Sequence, residues 1–131
     1  MFFILLGSLT SCAVQTQQTA APPTNPIPRS IWINDSINTP QEGKDFFNKA
    51  IKALQEENHS DAIINFTNAI EINPKLAGAY YLRGLIKLTQ KQFKSASVDL
   101  NKAGELGILE AYKYLRKIDN YNFLRQVLIH Y

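Results

Sequence analysis

Between Phe46 and Ala103 the chain repeats itself. Phe46, Ala50, Ala62, Phe66 and Ala69 are each followed, 34 residues later, by Tyr80, Gly84, Ala96, Leu100 and Ala103. Aromatic answers aromatic, small answers small, apolar answers apolar. A fixed period of this size marks a stacked array, because one short unit cannot bury its apolar face alone and must lie on a neighbour. Inside each copy the matching residues recur at three- and four-residue steps, which is helical spacing. The stretch "AIEINPKLAGAYYLRG", residues 69–84, shows the joint between copies. A helical pattern stops at Asn73-Pro74, resumes at once, and carries Gly84 in its interior. Glycine there costs about 1 kcal/mol relative to alanine, so closer packing between helices has to offset it. Gly84 is expected to face Ala96 and Ala103, as Ala50 faces Ala62 and Ala69.

Thirty-four residues is the length of a tetratricopeptide unit, and the sequence resembles that family. Counting Gly43 as the first position, Phe46 takes the aromatic position and Ala50 the small one. Ala62, Phe66 and Ala69 follow in the second helix, and Pro74 closes the unit. The second copy has Gly107-Ile108 where its closing proline would stand. The resemblance implies an all-α fold, an antiparallel helix-turn-helix solenoid of two units over residues 39–107. A capping helix and a C-terminal helical tail occupy 108–131, and a disordered Pro/Gln/Thr-rich tether occupies 12–38. Helices are expected near 40–56, 60–73, 77–90, 93–105 and 109–118, with a shorter one near 121–130. Thr39-Pro40-Gln41-Glu42 reads as a capping box with Pro40 at the first helical position. Turns fall at "ENHS" and "QKQF". His59 matches Phe93 in the repeat and is expected to pack under the helix pair.

The end of the array departs from the pattern. Tyr114 falls on the aromatic position of a third unit, but Ile118 occupies the small one, where a standard partner helix could not approach. Residues 108–118 therefore read as a cap. Beyond them Tyr121, Leu124, Val127, Leu128 and Tyr131 form a stripe at helical spacing. It is expected to fold back over the last helix pair; the alternative is a homodimer contact, since two units are few for a continuous core.

The net charge of +3 and pI near 9.0 do not form a nucleic-acid footprint, because the lysines are scattered among acids rather than gathered in a block. No catalytic, metal or cofactor site is expected. His59 and His130 have no ligand spacing with an acid or with Cys12. His59-Ser60-Asp61 holds the letters of a triad, but neighbours on one helical turn cannot align in series. There is no glycine-rich phosphate loop. What the tetratricopeptide resemblance implies instead is a protein-binding groove lined by the first helix of each unit. The positions facing it are Lys44, Phe47, Asn48, Ile51 and Gln55, then Gly78, Tyr81, Leu82, Leu85 and Thr89. Phe47 and Tyr81 stand where a carboxylate-gripping subset of the family would want a basic residue, so the implied ligand is an apolar segment or helix. The competing occupant is the protein itself, through its C-terminal helix or Trp32.

The other informative stretch is "LLGSLTSCAVQTQQ", residues 5–18. A short apolar run, Phe2 to Leu6, leads through small residues to the only cysteine, and a polar segment follows. Leu9-Thr10-Ser11-Cys12 resembles the lipobox of bacterial lipoproteins. That resemblance implies a signal peptide over 1–11, a diacylglyceryl group on the Cys12 thiol and an acylated (palmitate-type) new N-terminus, which together give durable membrane anchoring. The apolar run is too short to span a bilayer. The domain would then sit on the cell envelope facing away from the cytoplasm, and Ala13 after Cys12, rather than aspartate, points by family analogy to an outer membrane. As a coil, residues 13–38 would hold it on the order of 30 Å from the surface, and about 80 Å if extended. Within that segment Ile31-Trp32-Ile33 is the one apolar island, expected to dock on its own domain or another chain. Expressed with its native upstream region, the protein should yield an N-terminal peptide that begins at Cys12 with added acyl mass. A Cys12→Ala version should lack it; an unmodified peptide retaining Met1 would remove the anchor.

Overall fold

The computed structural model describes residues 39–129, and these form an all-α helical repeat with no strand among them. The expectations for the signal peptide, Cys12, the tether, Ile31-Trp32-Ile33, His130 and Tyr131 lie outside the described residues. Five helices follow in order: α1 Gln41–Gln55, α2 His59–Ile72, α3 Ala77–Thr89, α4 Phe93–Glu105 and α5 Ala111–Ile129. α1 packs along α2 and α3 along α4 as two hairpins; α2 lies on α3 and α4 on α5.

The repeat is written into the core. Phe66 and Leu100, equivalent in the two copies, are the largest fully buried side chains. Ala50, Ala62, Ala69, Ala96 and Ala103 are all completely buried. Phe47 meets Phe66 edge to face with ring centroids 5.5 Å apart, a geometry that suits the ring quadrupoles. A Cβ added at Gly84 would lie 3.0 Å from Leu100 Cγ and 3.2 Å from Asp99 Cβ, so the nearest approach to the bare backbone of α3 is made by the Asp99-Leu100 step of α4. A second repeated feature lies on the first helices. A cation three residues after the aromatic covers its ring in every copy: Lys49 over Phe46 at 5.1 Å, Arg83 over Tyr80 at 5.7 Å, and Lys117 over Tyr114 at 5.5 Å.

Three helices end the same way. Asn58 N–H donates to the Ala53 carbonyl at 2.8 Å, Gln92 N–H to Lys87 at 2.9 Å and Ile108 N–H to Ala103 at 2.9 Å. In each case the preceding residue is left-handed: Glu57 (φ 57°), Lys91 (φ 59°) and Gly107 (φ 106°). These are Schellman ends. Only Gly107 takes that conformation without steric cost; a residue with a Cβ pays about 1–2 kcal/mol. The α2–α3 joint is built otherwise. Asn73 is extended, and its side-chain NH₂ donates to the Thr39 hydroxyl at 2.7 Å while its oxygen accepts from Lys75 N–H at 3.0 Å. This use of Thr39 corrects the capping-box expectation: Pro40 itself is the N-cap of α1, with no side-chain cap. The threonine oxygen is spent instead on the joint one repeat away.

A buried ion cluster ties three helices together. Asp99 of α4, 2% exposed, takes two bonds from Arg83 of α3 (Nε–Oδ2 2.9 Å, Nη2–Oδ1 2.7 Å) and one from Lys87 Nζ (2.8 Å). Arg83 Nη1 donates onward to Thr67 Oγ1 of α2 at 2.9 Å, and that hydroxyl donates to the Ile63 carbonyl at 2.7 Å. No buried side-chain polar atom among the described residues lacks a partner.

Two expectations are overturned. His59 is exposed at the first position of α2, whereas Phe93 is half-buried beneath Tyr121, ring centroids 4.8 Å apart. The residue one repeat before Tyr121 is Lys87, whose ammonium is held by Asp99, so no aromatic ring covers His59. The C-terminal stretch is one continuous helix of 19 residues rather than two. Neither glycine nor proline interrupts residues 111–129, and Asp119-Asn120 only weakens a helix without ending it. Of the stripe, Tyr121 alone is seen to cover the last hairpin, through Phe93, and it stays 49% exposed; Leu124, Val127 and Leu128 are exposed.

Two outcomes follow from these contacts. Asp99→Ala should leave two cations facing a dry seam and cost about 3–5 kcal/mol, read as a lowered urea midpoint. Glu57→Gly and Lys91→Gly should each raise that midpoint, by about 1 kcal/mol at most once the extra freedom of glycine in the unfolded chain is counted.

Candidate interaction surface

The first helices of the two copies place the ten expected groove positions in five equivalent pairs. Lys44 is half-buried and Gly78 buried; Phe47 and Tyr81 are both buried. Asn48 is exposed, but its equivalent Leu82 is buried. Ile51 and Leu85 are both half-buried, and Gln55 and Thr89 are both exposed. Only the last two pairs keep a surface in both copies. The accessible strip therefore runs along the C-terminal halves of α1 and α3, with Ile51 and Leu85 at its centre and Gln55 and Thr89 at its edge. Thr89 Oγ1 donates to the Ile86 carbonyl at 2.7 Å.

Phe47, Tyr81 and Leu82 act in the interior. Phe47 is spent on Phe66. Tyr81 packs edge-on against Tyr114 of α5 with centroids 6.1 Å apart. Burial above all, then Tyr114 beside it and the Glu110 carboxylate, pushes the Tyr81 phenol well above the usual tyrosine range, so it stays a neutral hydrogen-bonding group at any physiological pH. Its place in the molecule is the seam between the second hairpin and α5. Helical-repeat spacing alone puts Phe47, Tyr81 and Leu82 on the groove side of α1 and α3; it carries no information on how far the neighbouring helix covers them.

A second surface lies on α5. Of the ten large apolar side chains exposed among the described residues, seven belong to that helix: Tyr112, Tyr121, Phe123, Leu124, Val127, Leu128 and Ile129. Ile118 is 3% exposed and the next turn still meets α4 through Tyr121 on Phe93, after which residues 122–129 are exposed. Between α4 and the second half of α5 lies an open cleft of about 870 Å³ that includes Lys91, Phe93, Lys94, Val98, Ile118 and Arg125. The sequence signal for this surface is the apolar stripe itself; what the stripe cannot reveal is that the helix carrying it stays straight.

No group of three or more His, Cys, Asp or Glu side chains is placed to hold a metal ion among the described residues. No helix of the described residues is long and apolar enough to cross a membrane. The acid and base groups that do converge, Asp99 with Arg83 and Lys87, are paired with one another inside a helix junction.

Comparison with known proteins agrees with this architecture. The chain is similar to Tetratricopeptide repeat protein 36 of Xenopus tropicalis, 36% identical over 66 residues, which is 50% of this chain and 33% of the relative. It thus spans about a third of that relative's length. No family model matches the chain, and no solved structure does. The relative and the stacked helix pairs support a tetratricopeptide-like fold.

Proposed function

We propose that this protein is a lipid-anchored interaction module: Cys12 carries the anchor at the cell envelope, and the helical repeat holds a partner protein or peptide away from the membrane. The module binds and does not catalyse. The observation that carries the binding role is the paired surface of Ile51 with Leu85 and Gln55 with Thr89. The same positions of successive helices stay open while their neighbours Phe47, Tyr81 and Leu82 close into the core. Such a strip offers an apolar centre and a hydrogen-bonding edge to an extended or helical segment lying across both helices. The lipid anchor rests on Leu9-Thr10-Ser11-Cys12, and the mass of the N-terminal peptide is its test.

The strip is tested in cells of the protein's own host by placing a photo-reactive residue at Gln55 or Thr89, with Ile64, exposed on α2, as a control position. A discrete cross-linked species is expected from Gln55 and Thr89 and not from Ile64. It should disappear with Ile51→Asp or Leu85→Asp, both at positions already partly in water. Tyr81→Asp serves as a folding control: burying a carboxylate at a 4% exposed site should unfold the seam and abolish circular dichroism as well as cross-linking. Equal cross-linking from all positions would leave the strip without a role.

A further inference from the structure

α5 changes its apolar side halfway along. Its first half packs on the domain through Ala111, Leu115 and Ile118, and Tyr121 still meets Phe93 of α4. Followed onward by three- and four-residue steps, the side of Leu115 and Ile118 continues as Asn122 and Arg125. The cleft beside α4 is accordingly lined from α5 by Ile118, Asp119, Asn122 and Arg125. Leu124, Val127 and Leu128 line none of it and are exposed by 57, 38 and 75%. A straight helix cannot turn two opposite sides to the same hairpin, so these three residues face away from their own domain.

The same outward side is cationic in the first half. Lys113, Arg116 and Lys117 precede Leu124, Val127 and Leu128 by eleven residues each, about three turns, so each cation stands in line with an apolar residue. Phe123, 66% exposed, lies one turn before Val127 and widens the apolar end. The three cations are exposed, and none is in an ion pair with a described residue. The one acid of α5, Asp119, lies on the cleft side. Glu110, just before the helix, is half-buried beside Tyr81.

We propose that this outward side of α5 docks the domain on a bilayer containing anionic phospholipid. The charges are complementary, and a bilayer offers phosphates over acyl chains in the order that α5 presents their partners. With the helix tilted, Lys113, Arg116 and Lys117 lie among the headgroups, while Phe123, Leu124, Val127 and Leu128 sink to the acyl boundary. A second α5 laid on the same side supplies apolar residues but no anion for the cations. The contact is interfacial, since no helix of the described residues is long and apolar enough to cross a membrane. The inference rests on the reading of Cys12 as a lipid anchor. An anchored chain keeps the domain within a tether's length of the bilayer, so a contact that is weak in free solution is held there.

The probe is the full chain with Cys12→Ala, which can carry no lipid, and an environment-sensitive fluorophore on Leu128→Cys. It is mixed with vesicles of phosphatidylglycerol and phosphatidylcholine, and separately with phosphatidylcholine alone. A blue shift is expected with the anionic vesicles and is lost at high salt. The same fluorophore on Ile64→Cys of α2 should stay in water. Lys113→Gln, Arg116→Gln and Lys117→Gln should each weaken the partition about fivefold, and Leu124→Asp should abolish it. All four residues are exposed, so these variants keep the fold, which circular dichroism confirms. The proposal is overturned by no shift at millimolar lipid, by an equal shift from Ile64→Cys or with phosphatidylcholine alone, or by partition that ignores Leu124→Asp. It is equally overturned if light scattering without lipid shows a dimer that Leu124→Asp dissolves, which would make the occupant a second copy. Failure with an acylated peptide found at Cys12 refutes this contact alone, whereas an unmodified peptide retaining Met1 refutes the anchor whatever the vesicles show.

Discussion

The three-helix junction at Asp99 is the constraint on which the rest of the molecule turns. A carboxylate 2% exposed is tolerated only because three donors from α3 satisfy it, and Arg83 then reaches back to Thr67 on α2. The first hairpin and the second are thereby joined by directional bonds as well as by apolar contact. Apolar surfaces alone would let adjacent helices slide by a turn at little cost. A bidentate arginine between two helices does not, since its fork fits one register. Such an ion cluster adds little net stability compared with an apolar core of the same volume; its contribution is to the angle and register at which the two units stack.

Close packing supplies the energy that this register directs. Phe66 and Leu100 occupy the same place in the two copies and are both fully enclosed. Alanines at zero exposure line the seams, and at Gly84 the approach is so close that a Cβ would stand 3.0 Å from Leu100. The loss of helix propensity at one glycine is small beside the dispersion energy of a hairpin packed this tightly along its length. The same position on α5 is filled by Ile118, which is itself enclosed in the core at 3% exposure.

The two open surfaces differ in kind. The strip on α1 and α3 is narrow, with half-buried aliphatic side chains and exposed amide and hydroxyl groups, and its members lie 34 residues apart on a rigid frame. The α5 face is continuous, strongly apolar at one end and cationic at the other. A lipid anchor at Cys12, joined through a tether with the reach expected of its composition, would let the module sample a shell tens of ångströms deep above a membrane.

Much of this was legible in the residues. The period of 34, the small positions and the Asn-Pro joint specified the number, length and pairing of α1 to α4, because helical spacing and close approach are local properties of the chain. Even the ion cluster left a trace. Where the first copy has Lys49, Ala53 and Asn65, the second has Arg83, Lys87 and Asp99: a forked cation in place of a point charge, and two new charges of opposite sign. Spacing of 12 and 16 residues along the chain could not say that they meet, since that depends on how the hairpin turns at Lys91. The cover on Phe47, Tyr81 and Leu82, the bare position of His59 and the straight course of α5 were likewise decided only in three dimensions. The sequence by itself determined which side chains are apolar and with what period. Tertiary structure alone decided which of them are covered, because burial belongs to the neighbouring helix as much as to the residue.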